Sequence, residues 1–303
     1  MTNSVYHVPV LFKESIDALN ISKSAIVVDV TFGGGGHSRE ILNRLGKKGT
    51  LISFDQDDDA IENQIEDERA ILVNANFRFM INFMKFYELM EADAILADLG
   101  VSSHQFDTGD RGFSIREEGK LDMRMNKTGA LSAHRVINQY GEPDLFRVFN
   151  SYADLQNTKK VVHLIITTRK KNPINTTKEL VDLISPLVPP QKRHQFLAQV
   201  FQAIRIEVND EMGALMDMLE QSAKVLKKGG RLVVISYHSI EDRIVKNFIR
   251  SGSFDGELDK DMFGRVINKP FEAINNKPLV PSDEELERNP RSRSAKLRIA
   301  ERI

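Results

Sequence analysis

A strand that runs into a glycine turn is predicted at Val27-Val28-Asp29-Val30-Thr31-Phe32-Gly33-Gly34-Gly35-Gly36-His37-Ser38. Residues 25–30 form an apolar run with β-branched residues, which is typical of a strand buried on both faces of a parallel sheet. The glycines end this strand, and because glycine lacks a Cβ atom, their backbone can approach a ligand closely. Ile41, Leu42 and Leu45 then recur at helical spacing. We therefore predict a turn whose N–H groups lie at a helix N-terminus, where a carboxylate or phosphate binds favourably.

Two acidic residues near the glycine turn indicate which ligand it holds. The turn itself fits the dinucleotide fingerprint G-x-G-x-x-G/A only loosely. Asp29 lies four residues before Gly33 and completes D-x-T-x-G-x-G, which resembles the first motif of S-adenosylmethionine-dependent methyltransferases rather than a nicotinamide site. Asp55 ends the next apolar run, where an acid can accept hydrogen bonds from both hydroxyls of a ribose. The alternative is a turn without a ligand, but four adjacent glycines then lose backbone entropy with no packing in return.

The composition excludes several classes of protein. With 303 residues, 41% of them hydrophobic, the chain is long enough for one large domain and a smaller one. It has neither a long apolar run nor an export signal, so we expect a soluble cytoplasmic protein with no membrane partner. The absence of cysteine excludes disulfides, cysteine-ligated zinc and a thiol nucleophile, and we assign no metal site. A net charge of −1 argues against a nucleic-acid coating protein but permits a local basic groove.

Alternating strand and helix patterns predict an α/β fold with a Rossmann-like, doubly wound sheet. After the first strand, further strands are predicted at residues 50–54, 71–73 and 92–99. In such a sheet the ligand crevice opens at the carboxyl ends of strands one and four, so Gly33 and Asp98 should face each other. A short amphipathic helix at residues 13–19 precedes the first strand, and we expect it to cover the cofactor.

The pattern changes between about residues 107 and 208, where helices are predicted at residues 131–140, 155–171, 177–187 and 193–205. The alternation then resumes with a helix at 211–226, a strand at 231–236, a helix at 241–250 and a closing edge strand at 296–303. Residues 251–288 are rich in Asn, Asp and Pro, as in a long, partly mobile loop. We therefore divide the chain into a methyltransferase domain (1–107 and 208–303) and an inserted all-helical substrate-binding domain (108–207).

A series of phenylalanines follows the third predicted strand: Phe77, Phe79, Phe83 and Phe86. At this spacing on a helix, aromatic side chains usually belong to the hydrophobic core, and we assign Phe79, Phe83 and Phe86 to it. Phe77 is the exception, because it comes directly after a strand, where an adenine ring would lie.

The segment Asp98-Leu99-Gly100-Val101-Ser102-Ser103-His104-Gln105-Phe106-Asp107 carries the predicted catalytic residues, which are Asp98, Ser102 and Ser103. An exocyclic amine of cytosine or adenine is a poor nucleophile, because its lone pair is delocalised into the ring. A methyltransferase therefore needs oxygen atoms that accept its N–H groups, and Asp98 is suited to this. No strong base is needed, since the nitrogen becomes acidic once it is methylated. The alternative is a polar linker that leads from the strand to the inserted domain.

Cationic residues at the predicted mouth of the crevice are candidates for binding a polyanionic substrate. The alternatives are solvated loop charges for the arginines and a buried carbonyl partner for the histidine. The candidates are Arg111, Arg124, Arg205, His238, Arg243, Arg291 and Arg293.

Several strings in this order closely resemble a bacterial family that methylates the exocyclic N4 amine of a cytosine in small-subunit (16S) ribosomal RNA. They cover nearly the whole chain, and a chance match of all of them is very improbable. The strings are T-F-G-G-G-G-H-S, D-L-G-V-S-S-x-Q, R-G-F-S, L-D-M-R-M, F-Q-A-I-R-I-x-V-N, I-S-Y-H-S-I-E-D-R and N-P-R-S-R-S-A-K-L-R-I-A-E-R.

The resemblance implies roles for individual residues. Asp55 would bind the ribose and Phe77 would border the adenine, while Asp98 and Gln105 would complete the site. The cofactor itself would lie against Gly33, Gly34, Gly35, Gly36 and His37. The chain departs from the family at Tyr152-Ala153-Asp154, where the family usually has Tyr-Gly-Glu, and residues 251–288 follow no family pattern.

Residues and resemblance together predict S-adenosylmethionine-dependent N4 methylation of one cytosine, in the decoding region as the resemblance implies. The absence of cysteine favours an amine, because methylation of a pyrimidine ring carbon normally uses a thiol adduct. The expected substrate is RNA already shaped by ribosomal proteins, and both a monomer and a dimer remain open. Two alternatives are an oxidoreductase that uses Asp55 for a nicotinamide ribose, and a binding module that retains an inactive cofactor pocket.

Overall fold

The computed structural model describes residues 9–153, 155, 157–264 and 266–303. Residues 1–8 and Asp154, the last residue of the departing Tyr152-Ala153-Asp154 string, lie outside this description. The chain divides into two compact units. The sheet unit comprises Met1–Gly100 and Gly213–Ile303, and the helical unit comprises Val101–Met212. The predicted domain boundaries, at residues 108 and 207, differ from these bounds by a few residues.

The strands are β1 (Ile26–Asp29), β2 (Thr50–Asp55), β3 (Ala70–Asn74), β4 (Ala92–Asp98), β5 (Leu226–Ser236), β6 (Phe271–Ala273) and β7 (Lys296–Arg302). The helices are α1 (Phe12–Ala18), α2 (Gly36–Arg44), α3 (Asp58–Ile61), α4 (Met80–Phe86), α5 (Ser103–Asp107), α6 (Ala133–Gln139), α7 (Glu142–Tyr152), α8 (Thr158–Arg169), α9 (Thr177–Ile184), α10 (Arg193–Asn209), α11 (Glu211–Val225), α12 (Ser239–Ser251) and α13 (Asp283–Arg288). Among the described helices, none is long and apolar enough to cross a lipid bilayer.

The predicted doubly wound sheet is confirmed. Among the described residues it has seven strands in the order β3-β2-β1-β4-β5-β7-β6. Strands β1 to β5 pair in parallel, and β7 runs antiparallel to both of its neighbours. In the centre, Val28 lies between Ile52 and Ile95 in register, and all three side chains are fully buried. Burial on both faces explains why these strands read as continuous apolar runs.

The turn between β1 and α2 also forms as predicted. Gly35 adopts the left-handed conformation (φ 73°) and is the N-cap of α2, which begins at Gly36. A Cβ atom at Gly36 would lie 2.6 Å from Cγ of Pro9, closer than real Cβ contacts allow. Ile41 and Leu42 anchor α2 in the core. The backbone N–H groups of the first turn of α2 therefore lie at the carboxyl end of β1.

Two predictions about the C-terminal part are wrong. Residues 251–288 are not one long loop, because they contain β6 and α13. In addition, β7 is not an edge strand, since β6 pairs with it on the outside through Phe271 and Ala273. A strand of only three residues, held by its partner and by the buried Phe271, has too short a pattern to be recognised in the sequence.

The phenylalanines after β3 are a further correction. Phe79 and Phe86 are 50% and 75% exposed, whereas Met80 and Met84 are fully buried and anchor α4 in the core. A 3-10 turn at Phe77–Phe79 precedes the helix and changes the angular phase of the side chains. Of the three phenylalanines assigned to the core, Phe83 alone packs edge-on against a buried ring, that of Phe54.

The helical unit has its own hydrophobic core, to which α6 to α10 contribute. The predicted helices in this segment form with bounds that differ by a few residues, and α9 continues into a 3-10 turn at Ser185–Leu187. Helix α7 was not predicted, although Leu145, Val148 and Phe149 on its buried face are fully enclosed. Pro143 lies in its first turn, a position at which proline is well tolerated.

Candidate active site

The glycine turn forms an open cradle at the carboxyl end of β1. A Cβ atom placed on Gly33 or Gly34 would have no atom within 4 Å, so the backbone there borders open space. At Gly35 the same atom would lie 2.9 Å from Cζ of Phe32, and φ is positive as well. The turn is therefore closely packed at Gly35 and accessible at Gly33 and Gly34, as a ligand that contacts the backbone requires.

Asp29 supports this cradle from inside the protein. Its fully buried carboxylate accepts hydrogen bonds from Ser38 Oγ (2.7 Å) and from the backbone N–H of Thr31 (3.1 Å). Ser38 belongs to α2, so the carboxylate connects the end of β1 to the first turn of that helix. Burial raises the pKa of Asp29, and the hydrogen bonds from Ser38 and Thr31 oppose this shift. The acid of the D-x-T-x-G string thus shapes the turn and is not a ligand group on its surface.

Asp55 closes the other side of the cradle. Its Oδ2 accepts the Gly33 N–H at 2.8 Å, and its Oδ1 accepts the Asp57 N–H at 2.9 Å. Burial raises the pKa of Asp55 to about 6, against the effect of both hydrogen bonds. Each carboxylate oxygen has a second lone pair that can accept a ribose hydroxyl. Phe77 begins the 3-10 turn that follows β3. Because β3 pairs in parallel with β2, which ends at Asp55, Phe77 and Asp55 lie at the carboxyl ends of neighbouring strands.

Asp98 lies at the carboxyl end of β4, beside the glycine turn as predicted. Its backbone N–H donates to Thr31 Oγ1 at 2.7 Å, which connects it to the end of β1. Its side chain is 22% exposed, and Tyr237 Oη donates to its Oδ1 at 2.8 Å. Burial raises the pKa of Asp98 to about 7, although the hydrogen bond from Tyr237 opposes this shift. A carboxylate with such a pKa can take up a proton near neutral pH.

His37 faces the second oxygen of Asp98 from helix α2. Its Nδ1 is 3.8 Å from Asp98 Oδ2, and its Nε2 is 3.2 Å from Ser15 Oγ on α1. Burial lowers the pKa of His37 to about 4, so the ring is neutral at pH 7. Ser15 Oγ also lies 3.0 Å from the carbonyl oxygen of Phe12, a second hydrogen-bond partner on α1. Helix α1 packs on His37 through the Ser15 contact, and its role in covering the cofactor stays a prediction.

Three of the predicted site residues begin the helical unit. Ser102 is the N-cap of α5, and its hydroxyl accepts the Gln105 N–H at 3.2 Å. Gln105 Oε1 accepts the Ser102 N–H in return, at 3.1 Å, which completes a capping box. Ser103 is the first residue of the helix. The string S-S-H-Q contains the signature of this cap. Catalysis by the serines and cofactor binding by Gln105 stay predictions.

The three candidate arginines of the helical unit are all engaged within it. Arg111 is buried, and its Nη2 donates to the carbonyl groups of Arg124 and Met125. Arg124 forms a two-pronged ion pair with Asp122, and Arg205 forms another with Glu211. The structure therefore gives each of them a structural role, and their contact with RNA stays a prediction.

The remaining candidates lie in the sheet unit. His238 is the N-cap of α12: its Nδ1 accepts the Glu241 N–H, and the Glu241 carboxylate accepts the His238 N–H. The cap accounts for Nδ1 and the backbone N–H of His238, and substrate binding by this residue stays a prediction. Arg243, Arg291 and Arg293 are exposed. Arg291 and Arg293 lie in the 3-10 turn before β7. Lys296, the first residue of β7, pairs with Ser236 at the end of β5, so this turn leads to the carboxyl ends of the parallel strands, where the cradle lies.

Tyr237 contacts Asp98 and was not among the residues predicted for the site. It follows β5 directly, and β5 is the parallel neighbour of β4, so its side chain starts beside Asp98. The signal was present in the string I-S-Y-H-S-I-E-D-R, whose position after a strand puts it at the carboxyl edge of the sheet.

A family model described as the MraW methylase family matches residues 4–303. The chain belongs to this family. A relative from Christiangramia forsetii is 54% identical over 298 residues, which are 98% of either chain. Another, from Parabacteroides distasonis, is 53% identical over 302 residues, or 99% of either chain. Both are named ribosomal RNA small subunit methyltransferase H.

The solved structures to which the chain is similar are far more distant in sequence. An rRNA methylase from Streptococcus thermophilus has 11% identity and a TM-score of 0.44, and the match covers 98% of this chain and 99% of that one. A methyltransferase from Streptococcus mutans in complex with SAH has 12% identity and a TM-score of 0.43, with 98% and 100% coverage.

Membership of a methylase family agrees with the site, whose residues fit S-adenosylmethionine. The open backbone at Gly33 and Gly34 admits a ligand against the turn, and Asp55 offers lone pairs for a ribose at the adjacent strand. The partly exposed carboxylate of Asp98, beside the turn, is a group that would stabilise a sulfonium cation.

Proposed function

We propose that this methyltransferase transfers the methyl group of S-adenosylmethionine to N4 of one cytosine in small-subunit ribosomal RNA. The observation that carries the proposal is the position of Asp98: a partly exposed carboxylate at the end of β4, beside the glycine cradle at the end of β1. The names of the two close relatives support the class of RNA. The position of the cytosine in the decoding region and the cytoplasmic location belong to the same proposal.

Asp98 is suited to the two requirements of methyl transfer to an amine. While the amine nitrogen approaches the electrophilic methyl group that S-adenosylmethionine supplies, a carboxylate oxygen can accept its N–H and concentrate the lone pair on nitrogen. After transfer the nitrogen bears a positive charge and releases one proton, which Asp98 can accept before water removes it. Because the chain has no cysteine, it lacks the thiol that attack through a pyrimidine ring carbon normally uses.

The helical unit presents a basic surface that suits an RNA backbone. Lys159, Lys160 and His163 are exposed on α8, and with Leu164 and Leu187 they line a shallow cavity of about 360 Å³. Lys170, Lys171, Lys192 and Arg193 are exposed on the same unit. Arg169 is a different case, because its guanidinium donates to the carbonyl groups of Ile137 and Tyr140. Cations over an apolar surface can contact phosphates and a splayed nucleotide together.

The test is a product analysis. Small subunits from cells that lack the protein are incubated with S-adenosylmethionine and the purified chain, and the RNA is digested to nucleosides for mass spectrometry. We expect N4-methylcytidine, at a single site, and a loss of at least about 100-fold in rate with Asp98→Asn. Methylation of a ring carbon, or of another base, would contradict the proposal. We also expect assembled subunits to react faster than protein-free RNA at equal salt, because a chain of net charge −1 gains little from unspecific attraction.

A further inference from the structure

Tyr237 holds one oxygen of the Asp98 carboxylate. The two residues end neighbouring parallel strands, with Asp98 in register with Ile235, and the distance from Tyr237 Oη to Asp98 Oδ1 is 2.8 Å. The ring packs beside Gly100, where a Cβ atom would lie 3.3 Å from Cδ2 of the tyrosine. Gly100 also has a φ of 102°, which other residues rarely adopt. The space for the tyrosine ring is thus defined by the chain that leaves β4.

The backbone of Tyr237 is fixed as well. Its N–H donates to Glu241 Oε2 at 2.8 Å, and the same oxygen accepts the His238 N–H. Glu241 is 2% exposed and belongs to the capping box of α12, so the helix N-terminus determines where the tyrosine starts. A hydroxyl on such an anchored ring is a preorganised donor, and it loses little conformational freedom when it binds the carboxylate.

The two oxygens of the Asp98 carboxylate have different neighbours. Oδ1 accepts from Tyr237, and Oδ2 faces Nδ1 of the His37 ring at 3.8 Å. The other charged groups that act on it are the carboxylates of Asp29, on β1, and Glu241, on α12, and both raise its pKa. Tyr237 is the group in this set whose hydrogen bond stabilises the ionised form. Burial raises the pKa of Tyr237 well above its usual range, so the hydroxyl keeps its proton.

We propose that Tyr237 is a positioning residue for methyl transfer: its hydroxyl fixes Oδ1 of Asp98, orients Oδ2 towards the reacting amine and keeps the carboxylate ionised. This inference rests on the proposed role of Asp98. The tyrosine itself touches neither the amine nor the cofactor in this role. Its contribution must therefore appear in the protonation and geometry of Asp98, which a residue with a purely structural role would not change.

The decisive variant is Tyr237→Phe, which removes one oxygen and keeps the ring beside Gly100. Without its donor, ionised Asp98 loses a hydrogen bond, so its pKa rises and more of it is protonated at pH 7. We expect the acid limb of the single-turnover rate profile to move up by about one pH unit. This shift lowers the ionised fraction of Asp98 at pH 7 from about one half to about one eleventh, so the rate at pH 7 should fall by about fivefold and recover largely at pH 9. Unchanged thermal unfolding and S-adenosylmethionine affinity would show that the fold and cofactor site are intact.

Tyr140→Phe is the matched control. It removes a tyrosine hydroxyl that also donates to a carboxylate, Glu207 Oε1 at 2.9 Å, but within the helical unit. This variant should keep the wild-type pH profile. In an Asp98→Asn background, Tyr237→Phe should cause no further shift of the profile, because the titrating group is gone. An acid limb of Tyr237→Phe that coincides with that of the wild type, or a loss that is equal at every pH, would overturn the proposal.

A second readout keeps this inference separate from the proposed function. Isotope-edited infrared spectroscopy of aspartate carboxyl groups, with Asp98→Asn to assign the band, measures the pKa of Asp98 in the protein without RNA. We expect Tyr237→Phe to raise that pKa. If the pKa rises but the wild-type product is not N4-methylcytidine, the proposed function fails and the hydrogen bond stands. If the product is N4-methylcytidine and the pKa does not move, the positioning role fails alone.

Discussion

At the scale of a single residue, Asp55 both holds the glycine turn and offers acceptors for a ribose. Its carboxylate holds the Gly33 N–H, and the site geometry leaves lone pairs for a ribose. We expect Asp55→Ala to weaken S-adenosylmethionine binding by about 1.5–3 kcal/mol, through lost ribose hydrogen bonds and a looser turn. Asp55→Asn should be milder, because one acceptor and the shape remain. Isothermal titration calorimetry measures both.

The control for this variant is Asp67→Ala, which removes the ion pair with Arg69 in the same unit. Its dissociation constant for the cofactor should equal that of the wild type. An unchanged constant in Asp55→Ala would remove the ribose role from this residue.

Asp98 makes stability depend on pH. Its pKa is raised to about 7 in the folded protein, so the folded state binds the proton more tightly than the unfolded chain. Its stabilising contribution is therefore complete below pH 4 and is lost as the pH rises through 7. We compare the free energy of unfolding of the cofactor-free Asp98→Asn variant with that of the wild type at pH 5 and at pH 8. The difference should shift in favour of the variant by about 1–3 kcal/mol from pH 5 to pH 8. Urea unfolding at both pH values measures this difference.

His37 contributes the opposite sign, because its pKa is lowered to about 4 and its stabilisation is lost as the pH falls below 6.5. Comparing two variants that both retain His37 cancels this contribution. If the difference in free energy of unfolding between wild type and Asp98→Asn does not change with pH, folding does not raise the pKa of Asp98.

At the scale of elements, the segment before β7 supports the cofactor site from a distance in sequence. Glu285 of α13 accepts the backbone N–H of Leu11, the N-cap of α1, at 2.8 Å, and both residues are buried. We expect Glu285→Ala to lower the free energy of unfolding by about 1–2 kcal/mol, since a helix N-terminal N–H loses its partner. Because α1 carries Ser15 to His37, cofactor binding should weaken as well.

Two further variants define this contact. Glu285→Gln keeps an oxygen acceptor and should retain most of the stability, whereas Glu287→Ala, on an exposed position of the same helix, should have no effect. Chemical denaturation of the three proteins decides the matter. Equal stabilities for Glu285→Ala and Glu287→Ala would mean that α13 does not hold α1.

At the scale of the whole molecule, charge is arranged locally because the net charge is only −1. Arg291 and Arg293 are exposed on the turn that leads to the cradle edge of the sheet. We expect neutralising both to glutamine to weaken RNA binding and to reduce the slope of log K against log salt by at most about two. The affinity for S-adenosylmethionine should not change. Filter binding over a range of salt concentrations measures the slope.

Lys47 and Lys48 provide a matched control, because they are exposed and lie just before β2. They are therefore at the amino ends of the parallel strands, opposite the cradle. Neutralising this pair removes the same charge and should leave the salt slope as it is. Equal effects of the two double variants would mean that RNA responds to overall charge and not to a basic surface beside the cradle.

Features that depend on neighbouring residues could be predicted from the sequence alone. The apolar run before Gly33, the turn and helix α2 follow from local hydrophobic periodicity and from the conformational freedom of glycine, and the doubly wound fold class follows from the alternation of strands with helices. Asp55 and Asp98 could be assigned because both end a recognisable strand. The cofactor class could be assigned because Asp29 and the glycines are close in the chain.

Contacts between side chains across the sheet could not be predicted, because they depend on the tertiary structure. Tyr237 and Asp98 are 139 residues apart, and the pairing of β4 with β5 in one register brings them together. The same applies to β6, a strand that exists through its partner, and to Phe79 and Phe86, whose exposure follows from a 3-10 turn that changes their phase. Local patterns specify elements, whereas hydrogen bonds between distant residues depend on strand order, register and packing, which no short stretch of sequence contains.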